Sequence, residues 1–283
     1  MIGYLLSPEC MALQVRCVRL LCLFYGISLA ITYAEKLAEA HLYAADGLMS
    51  WNILSFDRAD SGVLFRSGVL SRTLFGKAGT VAGHVLGIVG VGLMWWGPVR
   101  SYAFSVGMLA IVLSCVLMQL RTVYAGDGAQ QMNLLIGVAI LLGFNAWARP
   151  LTGVVCLFFI AAQSMLSYFV SGAAKVISPI WMRGDALRKI MGTTAFGSEL
   201  GYRLASMHPQ LTRMVCRVTV VVEMLFPVLV FGPKWMMILF LLWGVGFHVA
   251  NAVLMGLNTF VWSYLATYPV LYFVWVCVHR AGW

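Results

Sequence analysis

The sequence predicts an all-α fold, a polytopic transmembrane helical bundle of about eight spans, on three observations. Only 10% of its 283 residues are charged, against about 25% in soluble domains. Hydrophobic residues make up 61% of the chain and the mean hydropathy is +0.89. Tryptophans Trp95, Trp96, Trp147 and Trp235 stand at the ends of apolar runs, where indole rings settle at a membrane interface. The lipid bilayer is thus the first expected partner, and residues 1–283 read as a single integral membrane domain.

About 20 apolar residues cross the hydrocarbon of a bilayer, which places candidate spans at 18–34, 77–96, 101–120, 131–148, 151–177, 214–231, 235–257 and 259–278. The apolar core of the first could be a signal peptide cut after Ala34. The residues before it are too apolar for a basic leader, so it is expected to stay as a helix. Short joints carry Pro98, Pro150 and Pro233, each of which ends a helix by removing a donor. No glycine-proline pair or charge separates the last two spans, near Leu257. Two longer connections, 35–76 and 178–213, read as interfacial loops. The second holds "WMRGDALRKIM", a short helix apolar on one side and basic on the other.

A net charge of +9 would suggest nucleic acid in a soluble chain. Here Lys and Arg flank the spans, as orientation signals and head-group contacts, and no nucleic-acid partner is expected. With eight spans, twelve Lys and Arg fall on the side of the long loops and six on the other. That places the long loops in the cytoplasm and the protein, multi-pass, in the cell's inner membrane. The seven cysteines are scattered without a CxxC or CxxH pair, so no metal site is expected.

Ionisable groups within spans are costly and point to function. Lys175 ends the fifth span, with Gln163, Ser167 and Ser171 recurring before it every four residues. The small residues Ser164, Gly172, Ala173 and Ala174 among them admit a close neighbouring helix. Lys175 either snorkels to the head groups or serves an interior site. His248, Asn251, Met255 and Asn258, spaced three, four and three, form a second stripe. It either fixes packing through hydrogen bonds or lines a polar cavity. Glu223 is the acid of the sixth span; it is either neutral and hydrogen-bonded or paired with a cation, with Lys175 or His248 as its natural partners. Asp127 and Gln130 fit an N-cap and capping box for the fourth span. His84 lies in a glycine-rich run whose Gly83 and Gly87 suit close packing, and Asp185 reads as a solvated loop charge.

The segments "YFVSGAAKVISPIWMRGDAL", "VVVEMLFPVLVF" and "GFHVANAVLMGLNTFVWSYLATYP", in this order, resemble the membrane domain shared by vitamin K-dependent γ-glutamyl carboxylases and the bacterial horizontally transferred transmembrane (HTTM) proteins. The resemblance spans about residues 120–270. It implies that Tyr168, Phe169, Gly172, Lys175, Trp181 and Gly184 match the carboxylase motif, with Lys175 as the base acting on a reduced quinone. Phe247, His248 and Asn251 match the family's late polar helix, and Glu223 a recurrent acid. These 283 residues hold no counterpart of the carboxylases' large extramembrane part. A histidine of the family has none either, Gln130, Gln131 and Asn133 standing in that region. Small bacterial members include a membrane protein that matures a secreted peptide toxin with a small partner protein.

Two function classes follow. In the first, a small HTTM-type membrane protein acts on or matures a peptide or lipid-soluble substrate. Lys175, Glu223 and His248 are then the catalytic candidates, Gln163, Ser171, Asn251, Asn258 and Trp181 the substrate contacts, and a reduced quinone the implied cofactor. In the second, the chain is a non-catalytic membrane subunit or scaffold of a larger complex or peptide-export system. A small transporter is disfavoured, because no inverted repeat is visible.

Overall fold

The computed structural model describes residues 2–5, 7–56, 68–122 and 127–280. Within these the chain is helical throughout, with no strand. Part of the first long connection, including Arg58 and Arg66, lies outside the described residues. The main helices are α1 (Pro8–Ala38), α2 (Lys77–Trp96), α3 (Tyr102–Arg121), α4 (Gly128–Phe144), α5 (Pro150–Val176), α6 (Pro209–Leu225), α7 (Lys234–Met255), α8 (Asn258–Leu265) and α9 (Tyr268–Arg280).

Six helical stretches of the described chain are long and apolar enough to cross a membrane: α1, α2, α3, α5, α7, and α8 with α9 taken together. The chain is therefore read as a multi-pass membrane protein. The other two expected spans are helical but shorter. Helix α4 is apolar and has 17 residues, about 25 Å at 1.5 Å per residue, below the ~30 Å of hydrocarbon. Helix α6 starts at Pro209 with a polar first half, "PQLTRMVCR", and gives way to a 3-10 turn, Phe226–Val230, that contains Pro227. The expected stretch 259–278 is two helices, broken at Ala266 and Thr267.

Local chemistry sets the boundaries. Proline opens α1, α5 and α6, where its missing N–H has no helical partner to lose. Ser101 Oγ accepts from Phe104 N at 3.1 Å to start α3. Asp127 Oδ1 accepts from Gln130 N at 2.8 Å to start α4, so the expected N-cap is present. Helix α7 ends at Gly256, whose φ of 73° lies in the left-handed region that favours glycine. The expected basic helix around Gly184 is two short helices, Pro179–Arg183 and Ala186–Met191, because Gly184 turns the chain at φ 82°.

The contacts of the chain divide it into two compact units, residues 14–157 and residues 1–13 with 158–283. In the first, α2 and α3 form a hairpin across Gly97 and Pro98. The helices meet at Gly90 and Gly107: a Cβ on Gly90 would lie 2.8 Å from Gly107 O, and one on Gly107 2.7 Å from Gly90 O. The sequence pointed to Gly83 and Gly87 for close packing. Gly87 does accept the Tyr33 ring, whereas the helix-to-helix crossing is one turn further on. Tyr25 Oη donates to Asn133 O at 2.9 Å, and Asn133 Nδ2 donates to Ser28 Oγ at 3.0 Å, tying α4 to α1. In the second unit, α5 from residue 158 packs with α6, α7, α8 and α9 around the buried rings of Tyr168, Phe226 and Phe273.

Gly90→Leu should lower stability in detergent by about 1–3 kcal/mol through overpacking. Gly92→Leu should be near neutral, since nothing lies within 4 Å of a Cβ there. Thermal unfolding of the two variants side by side checks this; equal losses would refute the crossing.

Candidate functional site

Helix α5 carries the site on one face. Ser164, Tyr168, Ser171 and Lys175 are spaced four, three and four, which keeps side chains in line on a helix of 3.6 residues per turn. Ser164 and Tyr168 are buried; Ser171 and Lys175 are half-buried. Helix α6 answers with a polar face of the same spacing. Thr212, Cys216, Thr219 and Glu223 are all buried. Gly172 lets the two helices approach, because a Cβ there would lie 2.7 Å from Met224 N and 3.0 Å from Glu223 Cβ.

This approach brings Lys175 and Glu223 together. Lys175 Nζ donates to Glu223 Oε2 at 2.6 Å and to Ser171 Oγ at 2.5 Å. The side chains are only 15% and 2% exposed. Lys175 Nζ also stands 5.1 Å over the Trp181 ring, a cation–π contact that further shields the charge. The stem of Lys175 therefore leads to an internal partner. A buried carboxylate with no cation would be costly, and this pairing removes that cost.

His248, on α7, belongs to a second cluster. Its Nε2 shares a hydrogen bond with Tyr168 Oη at 2.7 Å, and Tyr168 Oη lies 3.1 Å from Tyr268 Oη. The Tyr168 ring stacks on Phe226 at 3.8 Å between centroids, and the His248 ring on Tyr264 at 4.5 Å. Gly244, one turn before His248, leaves room for the Tyr268 hydroxyl, which a Cβ would meet at 2.0 Å. His248 is 4% exposed, and its buried Nδ1 has no hydrogen-bond partner among the described residues. Ser164 Oγ donates to Thr267 Oγ1 at 2.9 Å while the Thr267 hydroxyl donates to Tyr264 O at 2.7 Å. That link holds α5 against the break between α8 and α9.

Both clusters open on one pocket of about 170 Å³. Lys175, Glu223, Ser171, Tyr168 and His248 supply its polar wall, with Asn251; Phe247, Phe260 and Tyr264 supply aromatic faces. Of the expected residues, Lys175, Glu223, His248, Ser171 and Asn251 share this pocket. Trp181 reaches it only through Lys175. Gln163 does not line it. Asn258 is not on the His248 stripe: Gly256 ends α7, and Asn258 begins α8 exposed. Tyr264 and Tyr268 were not singled out in the sequence. Their four-residue spacing beside the polar stripe is the signal that would have marked them. Tyr168 entered through the resemblance alone, and its place seven residues before Lys175 is the signal that puts it on the same face.

The arrangement offers a base, an acid and a hydrogen-bonding tyrosine–histidine pair around one small aromatic cavity. A proton can move between Nζ and Oε2 across 2.6 Å, and such groups suit acid–base chemistry when a reacting atom lies within hydrogen-bond reach. No family model, curated protein or solved structure matches the chain.

Tyr168→Phe would keep the stacking on Phe226 and remove the hydroxyl. His248 Nε2 would then be buried unpaired, at a cost of about 1–3 kcal/mol. Tyr268→Phe should cost less, because His248 keeps its partner. Unfolding of both variants in one detergent checks the order; a reversed order would refute the role given to the Tyr168 hydroxyl.

Proposed function

We propose that this chain is an HTTM-type integral membrane protein that acts on a lipid-soluble or peptide substrate through a base at Lys175. The observation that carries the reading is the pairing of half-buried Lys175 with buried Glu223 on the wall of a pocket they share with His248. Ionisable groups inside a membrane protein face its interior or a cavity and mark pathways and proton relays.

Passing the Lys175 proton to Glu223 leaves a neutral amine and a neutral carboxyl. In a low-dielectric site this form competes with the ion pair, because both charges lose their hydration there. The free lone pair of Nζ then takes a proton from an acidic hydroxyl in the pocket. The O–H bond breaks, an N–H bond forms, and the product is an oxyanion beside an ammonium. Ser171 holds Nζ in place from one side at 2.5 Å. Tyr168 fixes His248, which can donate to or accept from a bound oxygen.

A reduced quinone fits these residues. The aromatic faces of Phe247, Phe260 and Tyr264 suit a planar ring, and the partnerless Nδ1 of His248 suits a ring oxygen. When bound, it supplies an ionisable ring hydroxyl and reducing electrons. The alternative is a non-catalytic membrane subunit, in which the same pair only clamps α5 to α6. It is favoured by the fact that Lys175 already has two partners inside the protein.

A phenol carrying an alkyl tail and a nitro group separates these readings, since its phenolate absorbs at longer wavelength than the phenol. The purified protein should bind the probe as phenolate at a pH where the free probe in the same detergent stays neutral. Lys175→Met with Glu223→Leu removes both charges together, which buried pairs tolerate; this variant should bind the probe only as phenol. An identical spectrum in both proteins would leave the clamp as the function of the pair.

A further inference from the structure

The unit formed by residues 14–157 holds a second pocket, of about 280 Å³, near the lower end of the range of about 300–1,000 Å³ typical of small-molecule sites. Four of its polar residues come from helix ends, with His84 and Ser114 further inside their helices. Lys36 is in the last turn of α1, Thr80 in the first of α2, Arg121 ends α3 and Gln130 is in the first turn of α4. Leu54, Leu74, Leu117 and Met118 supply an apolar wall. The cavity therefore has a cationic part at the level of the helix ends and an apolar part lined by side chains.

Two groups there are left in an expensive state. Arg121 is 9% exposed. Its Nε donates to Phe75 O at 3.1 Å and its Nη2 to Met49 O, and its guanidinium stands 4.5 Å over the Tyr43 ring. Those bonds use two of five N–H donors and bring no negative charge. Among the described residues no carboxylate lines the pocket or pairs with Arg121, and Glu39 pairs with Lys36 at 3.5 Å. A buried cation without an anion is strongly unfavourable. His84, on the same wall, is 3% exposed, and among the described residues neither of its ring nitrogens has a hydrogen-bond partner. Buried polar groups are ordinarily satisfied, so two such groups on one wall call for a ligand with acceptor oxygens and a negative charge.

We infer that this pocket binds an anionic amphiphile, its carboxylate or phosphate held by Arg121 and His84 and its hydrocarbon chain lying along Leu74, Leu117 and Met118. The anion supplies the missing counter-charge to Arg121 and the missing acceptor or donor to His84. The apolar wall explains why the ligand carries a chain and is not a free ion. The site is separate from the Lys175 pocket and stands whether or not that pocket is catalytic.

The test is mass spectrometry of the intact, delipidated protein in detergent, titrated in turn with phosphatidylglycerol, palmitate, phosphatidylcholine and inorganic phosphate. The wild type should hold a single phosphatidylglycerol or palmitate per chain, about tenfold or more tighter than phosphatidylcholine, the strength of a charge-assisted hydrogen bond. The tighter of the first two names the source of the anion. Arg121→Gln should abolish the preference. Because Arg121 also binds two backbone carbonyls, His84→Phe is the second variant: it keeps an aromatic ring beside Tyr33 and Tyr43 and should weaken both anionic lipids. Equal binding of phosphatidylcholine, unchanged preference in both variants, or inorganic phosphate binding as tightly as the lipids would overturn the inference.

Discussion

A carboxyl group that is 2% exposed keeps its charge only beside a cation, and Glu223 has Lys175 at 2.6 Å. Much of the unit that contains them follows from that requirement. Helices α5 and α6 have to come within side-chain reach, and Gly172 makes room where Met224 N and Glu223 Cβ pass closest. The turn of α5 below the pair must then be small or hydrogen-bonded, which is what Ser171 provides. Removing either partner alone leaves a buried charge unpaired, typically a loss of about 3–5 kcal/mol, whereas replacing both by apolar groups is often tolerated. The pair thus tells the two helices where to meet, while its net contribution to stability is small.

The second cluster uses different physics. Tyr168, His248, Tyr264 and Phe226 are held by ring stacking and by hydrogen bonds among neutral groups, where geometry and not charge sets the arrangement. Tyr168 joins it to the ion pair, being on the same face of α5 as Lys175 and in contact with His248. A charged pair and an aromatic wall therefore line one cavity. In the other unit the balance differs. Among the described residues Arg121 is buried against carbonyl and aromatic neighbours, so dipoles stabilise its charge.

The sequence revealed the helical membrane class through charge depletion and long apolar runs, and these need no tertiary knowledge. It also revealed Lys175, Glu223 and His248, because charge inside an apolar run stands out against its neighbours. What it concealed depends on packing. Gln163 was grouped with Lys175 by a repeat of four, which drifts around the helix; the true face runs Ser164, Tyr168, Ser171, Lys175. Tyr264 and Tyr268 come beside His248 and Tyr168 only through the packing of α8 and α9. Asn258 continued the His248 stripe on paper, and Gly256 takes it off that helix by a left-handed turn. Helix α6 looked like a full span because its second half is apolar. Its buried face carries threonines and a cysteine every three or four residues, a pattern that hydropathy averaging hides. Arg121 sat at the end of a span, where arginine is common, and nothing in the chain announced that it would be buried.

A double-mutant cycle on Lys175→Met and Glu223→Leu, read by unfolding in detergent, tests the central claim most directly. The account predicts that each single variant is destabilised by about 3–5 kcal/mol and that the double variant loses less than either, so that the coupling exceeds either single loss. Additive losses, with no recovery in the double variant, would mean that the two side chains do not meet and would contradict the site.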